Sequence, residues 1–150
     1  RIARGNIKNI AGVKASDLEA LVFPGGFGAA LNLCDFGQKG AAASVNPEVA
    51  RRAREVHAAG KPIGAICIAP ALIAAILGKD AAPTLTIGTD AGTAAEIEKT
   101  GAKHKDCQAT DFVVDEKNRI VTTPAYMLAG RISEVNEGIG KCVKAVIDMS

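Results

Sequence analysis

The stretch Lys61, Pro62, Ile63, Gly64, Ala65, Ile66, Cys67, Ile68, Ala69, Pro70 decides how this chain is read. Ile63 to Ile66 is an apolar run of strand length, and Ala69 to Leu77 is an aliphatic helix that Gly78 is expected to stop. Only Cys67 and Ile68 separate the two, so a nucleophilic side chain stands at a sharp strand-to-helix joint. Ala65 and Ala69, two positions away on either side, are small enough for a nucleophile elbow, whose central residue is held in a strained backbone conformation. At a helix start the unpaired amides and the macrodipole favour an anion, which suits a cysteine that reacts as thiolate. The competing reading is a small buried hydrophobe, since free cysteine packs as one.

Outward from the elbow the alternation of strand and helix recurs. Ala20 to Phe23 is a short apolar strand stopped by Pro24, Gly25 and Gly26. Asn46, Pro47 and Glu48 supply an N-cap, a proline at the first helical position and an acidic first turn for a helix that ends near Gly60. Leu85 to Gly88 reads as a third strand, and Thr93 with Glu96 fits a capping box for a helix that Gly101 ends. Phe112 to Val114 and Arg119 to Thr122 flank a polar four-residue turn, the pattern of a hairpin. Ile132, Val135, Ile139, Cys142, Val143 and Val146 form one apolar stripe on a closing helix. Such units give an α/β domain over residues 1–150, with a mostly parallel sheet covered on both faces.

Composition removes several function classes. The 150 residues carry 18 basic and 16 acidic side chains, and aromatics make up 3%, so neither a basic surface nor a stacking platform for nucleic acid is present. Apolar runs are broken by glycine or proline well short of the roughly 20 residues of a membrane span. Cys34, Cys67, Cys107 and Cys142 show no C-x-x-C spacing, which argues against a metal knuckle and for separate thiols in a reducing compartment, cytoplasm or mitochondrial matrix. Cys34, Cys107 and Cys142 read as packing residues. Nothing at Arg1 resembles a signal peptide.

Pro24, Gly25, Gly26, Phe27, Gly28 follow the strand expected beside the elbow strand, and parallel neighbours bring such loops together at the C-terminal edge of a sheet. The amides of Gly25 and Gly26, with that of Ile68, are then candidates for an oxyanion hole facing Cys67. Gly26, Phe27, Gly28 also open a dinucleotide fingerprint, but Leu31 stands at the third glycine position and helix follows where an acidic strand end belongs, so no nucleotide cofactor is assigned. Thr89, Asp90, Pro124 and Tyr126 are candidates for the pocket rim, with a capping or solvated role as the alternative for the first two. His57 reads as a boundary or surface residue and His104 as the start of a strand, and neither is favoured for catalysis. No metal site is expected.

Three separated motifs carry a family resemblance: Phe23 to Ala30 (Phe-Pro-Gly-Gly-Phe-Gly-Ala-Ala), Gly60 to Gly64 with Cys67 to Pro70, and Thr122 to Met127 (Thr-Thr-Pro-Ala-Tyr-Met). In this order they resemble the ElbB branch of the PfpI-type, class I glutamine-amidotransferase-like superfamily, over essentially the whole chain. The resemblance implies a flavodoxin-like three-layer sandwich with Cys67 as nucleophile. It also implies a glyoxalase-like, hydro-lyase activity that converts small dicarbonyls such as glyoxal and methylglyoxal to hydroxy acids without glutathione, metal or organic cofactor. In PfpI-type proteases histidine follows the nucleophile, and in class I amidotransferases histidine and glutamate lie near the C-terminal end. Here Ile68 follows Cys67 and the late segment reads Thr123, Pro124, Ala125, Tyr126, so neither triad is present and both activities are set aside. Family members begin with further strand and helix units that carry a glutamate meeting the cysteine. The expectation is therefore an N-terminally truncated chain whose complete form is a homodimer, and whose opening segment from Arg1 to Lys14 supplies no central strand. A thiol redox sensor or binding protein using the same cysteine without turnover is the alternative.

Overall fold

A computed structural model describes residues 5–150. Four strands form the main sheet: β1 (Leu21–Phe23), β2 (Ile63–Ile66), β5 (Val113–Asp115) and β6 (Ile120–Thr123), in the spatial order β1, β2, β6, β5. The first three are parallel and β5 runs antiparallel to β6, closing the expected hairpin. Phe23 lies beside Ala65 and Ile66 beside Thr123, so the three parallel strands finish at nearly one level. Helices α2 (Pro47–Ala58) and α3 (Ala69–Ala81) pack on one face and α5 (Ile132–Met149) on the other, which gives the α/β, three-layer arrangement expected from the alternation.

Local chemistry explains the elements that frame the site. The Asn46 carboxamide oxygen accepts the amides of Glu48 and Val49, and Pro47 opens α2 as read from the sequence. All four residues of β2 are buried, which is why it reads as a continuous apolar run. Gly64 lets α5 lie close to the sheet, since a Cβ there would come 3.0 Å from Val146 Cγ2. Along α5, Val135, Gly138, Cys142 and Val146 are buried.

Four expectations need correction. Gly78 does not stop α3. It allows the helix to pass Thr100, whose carbonyl oxygen would be 2.5 Å from an added Cβ, and α3 ends in left-handed Ala82. Helix α4 (Ala91–Lys99) is capped by Asp90, whose carboxylate accepts the Thr93 amide at 2.7 Å; Glu96 instead reaches the Ala41 amide and Lys99. The strand expected at Leu85 to Gly88 is shorter, β3 (Thr84–Leu85), paired in parallel with β4 (Lys103–His104). It stops because the next amides, Thr86, Ile87 and Gly88, donate to Thr122 Oγ1, His104 Nε2 and Thr86 Oγ1 rather than to a strand. Ile132 leaves the apolar stripe and is 77% exposed, because it is the first residue of α5 and precedes the turns that meet the sheet.

Among the described residues strand β1 has one ladder partner, β2, and Val22 on the α5 side is exposed. Residues 5–18 form short turns at Ile10–Gly12 and Ala15–Asp17 and no strand. The part of the Arg1 to Lys14 expectation that concerns Arg1 to Arg4 lies outside the described residues. Among the described residues no helix is long and apolar enough to cross a membrane.

Candidate active site

The backbone at Cys67 has φ of +62°, a left-handed conformation that costs a side-chain-bearing residue roughly 1–2 kcal/mol and that the surroundings must therefore hold. The Cys67 amide donates to the Thr123 carbonyl at 2.9 Å, which ties the elbow to the end of β6. Beyond it Ile68 caps α3, and Pro70 occupies its first turn. On the other flank Gly25, with φ of +85°, lies against the joint. A Cβ there would stand 2.4 Å from the Ile66 carbonyl oxygen and 3.0 Å from Cys67 Cβ, so glycine is required by both conformation and space. The structure thus brings Gly25 and Cys67 into contact as the pairing of their strands implied.

Ala125, at the end of β6, is also left-handed, with φ of +47°. Three adjacent parallel strands therefore turn left-handed within two residues of their ends, at Gly25, Cys67 and Ala125, and form one strained crest. Ala125 escaped the sequence reading. Its only signal is a small residue behind Pro124, at a strand end neighbouring the elbow strand.

Among the described residues, nothing in the chain accepts a hydrogen bond from the amides of Gly25, Gly26 or Ile68. Gly26 is exposed, with open space where a side chain would be. These donors are free to face an anion at the crest, the requirement of an oxyanion hole. The Cys67 thiol is half-buried and has no hydrogen-bond partner among the described residues. The other thiols are disfavoured as anions: burial raises Cys34 and Cys107 and pushes Cys142 up to about 12.

The rim candidates separate. Tyr126 is 62% exposed beside the crest, whereas Pro124 is buried beneath it. Thr89 and Asp90 are both exposed, and Asp90 is occupied as the α4 cap. Their loop reaches the crest through Gly88, where a Cβ would meet the Leu128 side chain at 2.7 Å. Neither histidine joins the thiol. His57 meets Asn118 Oδ1 at 3.3 Å; His104, its side chain 5% exposed, accepts the Ile87 amide on Nε2 and faces Asp106 with Nδ1. A cavity of about 520 Å³ opens beside Ile68, between the Phe27 loop, the short helix α1 (Phe36–Lys39) and α4. Glu96 lines it, but Lys99 and the Ala41 amide occupy its oxygens and hold its carboxyl below the usual range, which leaves it a poor proton shuttle. Among the described residues no three metal-ligating side chains cluster.

No family model matches the chain. Along its whole length it is 42% identical to the ES1 protein homolog, mitochondrial, of Rattus norvegicus, covering 59% of that protein. It is likewise 42% identical to the glutamine amidotransferase-like class 1 domain-containing protein 3, mitochondrial, of Homo sapiens, covering 58%. The crystal structure of an isoprenoid biosynthesis protein with an amidotransferase-like domain from Ehrlichia chaffeensis superposes with a TM-score of 0.91 at 35% identity, matching 99% of this chain and 67% of that one. The chain spans nearly three fifths of the length of its curated relatives. Those relatives are mitochondrial, in line with the reducing compartment read from the cysteines.

Proposed function

Because this chain belongs to the glutamine-amidotransferase-like class 1 family, we propose that it carries the thiol centre of a glyoxalase-like enzyme of the ElbB type, acting on small dicarbonyls without glutathione. The observation that carries this reading is the left-handed Cys67 with Gly25 packed against it and free amides on both sides. Cys67 as thiolate adds to the aldehyde carbon of glyoxal or methylglyoxal, and the amides of Gly25, Gly26 and Ile68 hold the resulting hemithioacetal oxygen. A carboxylate contributed from outside these 150 residues moves the proton from the former aldehyde carbon to its neighbour, leaving a thioester of the 2-hydroxy acid. Water cleaves the thioester and restores the thiol. Dicarbonyl and water thus become hydroxy acid, with no oxidant or reductant consumed.

Amidotransferase or protease chemistry is a weaker reading, because Ile68 follows the nucleophile and both histidines are engaged elsewhere. One observation favours a thiol sensor instead: the Cys67 thiol meets no base among the described residues. Turnover separates the two. The full-length protein should convert methylglyoxal to lactate without glutathione, and Cys67→Ser in it should lower kcat/KM by about a thousandfold or more while far-UV circular dichroism and melting stay unchanged. Absence of turnover together with clean sulfinic acid formation at Cys67 under mild peroxide would overturn the enzyme reading and favour the sensor.

A further inference from the structure

The cavity beside the elbow begins where the anion-facing amides end. Phe27, directly after Gly26, forms one wall, and Ile68 itself another; Ala30 and Phe36 continue the apolar lining. Phe27 is 73% exposed, so its ring has no packing role within the chain. The charged groups around the cavity are already neutralised. Lys39 pairs with Asp35 at 2.6 Å, and Glu96 pairs with Lys99 at 2.6 Å. With the charges satisfied internally, Phe27, Ala30, Phe36 and Ile68 offer an uncharged apolar wall beside the neutral Gln38 and Thr93. At about 520 Å³ the space suits a ligand far larger than a two- or three-carbon dicarbonyl, since cavities of roughly 300–1,000 Å³ hold drug-sized molecules.

We infer that this cavity is a subsite for the uncharged apolar body, aromatic by preference, of a larger 2-oxoaldehyde whose aldehyde carbon reaches Cys67. The inference rests on the glyoxalase reading for the chemistry at the thiol and deepens it by naming the substrate class. Phenylglyoxal and methylglyoxal test it, since a phenyl group in one replaces a methyl in the other. Each aldehyde protects Cys67 from brief iodoacetamide labelling, read by peptide mass, and the ratio of protecting concentrations is corrected by the same ratio measured on N-acetylcysteine. Wild type should favour phenylglyoxal by about tenfold or more after correction, the gain expected from burying a ring. Gly92→Phe introduces a ring at the cavity from α4, where an added Cβ has its nearest neighbour, Asp90 Oδ1, at 3.6 Å, and should bring the corrected ratio to about one. The exposed Phe27→Ala, which does not depend on fitting a new ring, should reduce the preference at least about threefold. A corrected ratio near one in wild type, or a preference untouched by both variants, overturns the subsite. Turnover measured on the same samples tests the chemistry separately: preferential protection without turnover retains the subsite and removes the glyoxalase reading, and turnover without preference does the reverse.

Discussion

Two polar constellations at opposite places in the sheet differ in how completely their groups are paired. At the hairpin turn, Asp115 accepts the amides of Thr84 and Asn118 and the Asn118 side chain. Asn118 in turn donates to the Ala81 carbonyl and meets His57. That knot joins α2, α3, β3 and the β5–β6 hairpin, and each side-chain oxygen and nitrogen of Asp115 and Asn118 has a partner. At the crest the reverse holds: three left-handed backbone positions, one of them a cysteine, stand beside amides that have no acceptor among the described residues. Strain and unused donors are retained where a ligand is to supply what the protein does not. Asp115 and His57 thus hold elements of the fold together, whereas the proposed function places the chemistry on Cys67.

The largest effect that separates the two regions is thiol selectivity. Limited iodoacetamide at neutral pH should modify Cys67 at least about a hundredfold faster than Cys142, with Cys34 and Cys107 between them, because burial keeps those three thiols protonated and out of reach. Time-resolved peptide mapping measures this order. Another cysteine reacting first would remove the crest from consideration as a reactive centre.

The knot should answer to stability instead. Asp115→Ala leaves the Thr84 amide and two Asn118 donors without an acceptor and should cost about 2 kcal/mol in urea unfolding, with Cys67 labelling unchanged. Burial raises the Asp115 carboxyl, but hydrogen bonds from the Asn118 side chain and from the Thr84 and Asn118 amides outweigh it and hold it below the usual 3.8. The unfolded chain then binds this proton more readily than the folded one. The contribution is fully present above the unfolded value and is lost as pH falls through the lower folded value. Asp115→Asn should therefore flatten the fall in stability below about pH 4. An unaltered acid limb would show that the knot's hydrogen bonds do not discriminate between the carboxyl's two forms.

Both regions were partly legible beforehand, for different reasons. The elbow is a local demand, small residues around a cysteine between strand and helix, and Gly25 was named because a glycine loop follows the adjoining strand. The α2 start was equally local, with Asn46, Pro47 and Glu48 in consecutive positions. What escaped depends on distant partners. Gly78 was read as a stop because its neighbour Thr100 belongs to the end of α4. Glu96 fits half of a capping box in sequence, yet its bond to Ala41 crosses 55 residues, and the same approach of the turn after α1 to α4 borders the cavity. No periodicity within α4 announces either. The left-handed turn at Ala125 belongs to the same class, because what holds it is its place between β6 and α5 rather than its own residue type.

Ala125 gives the smallest and most discriminating test of the crest. It is 1% exposed, as is expected of a core alanine, and ordinary core alanines lose stability when changed to glycine. Ala53, fully buried within α2, should lose about 2 kcal/mol in that change, from lost helix propensity and a lost buried methyl. At Ala125 the same methyl is lost, but the left-handed conformation that costs alanine roughly 1–2 kcal/mol is free to glycine. Ala125→Gly should therefore be nearly neutral, within about 1 kcal/mol of wild type, while Ala125→Val, branched at Cβ in a conformation such residues rarely adopt, should be strongly destabilising. Urea midpoints for the three variants, compared at equal slopes, measure the difference. If Ala125→Gly costs as much as Ala53→Gly, the strand end beside the elbow stores no strain, and the crest reduces to the Gly25 and Cys67 contact alone.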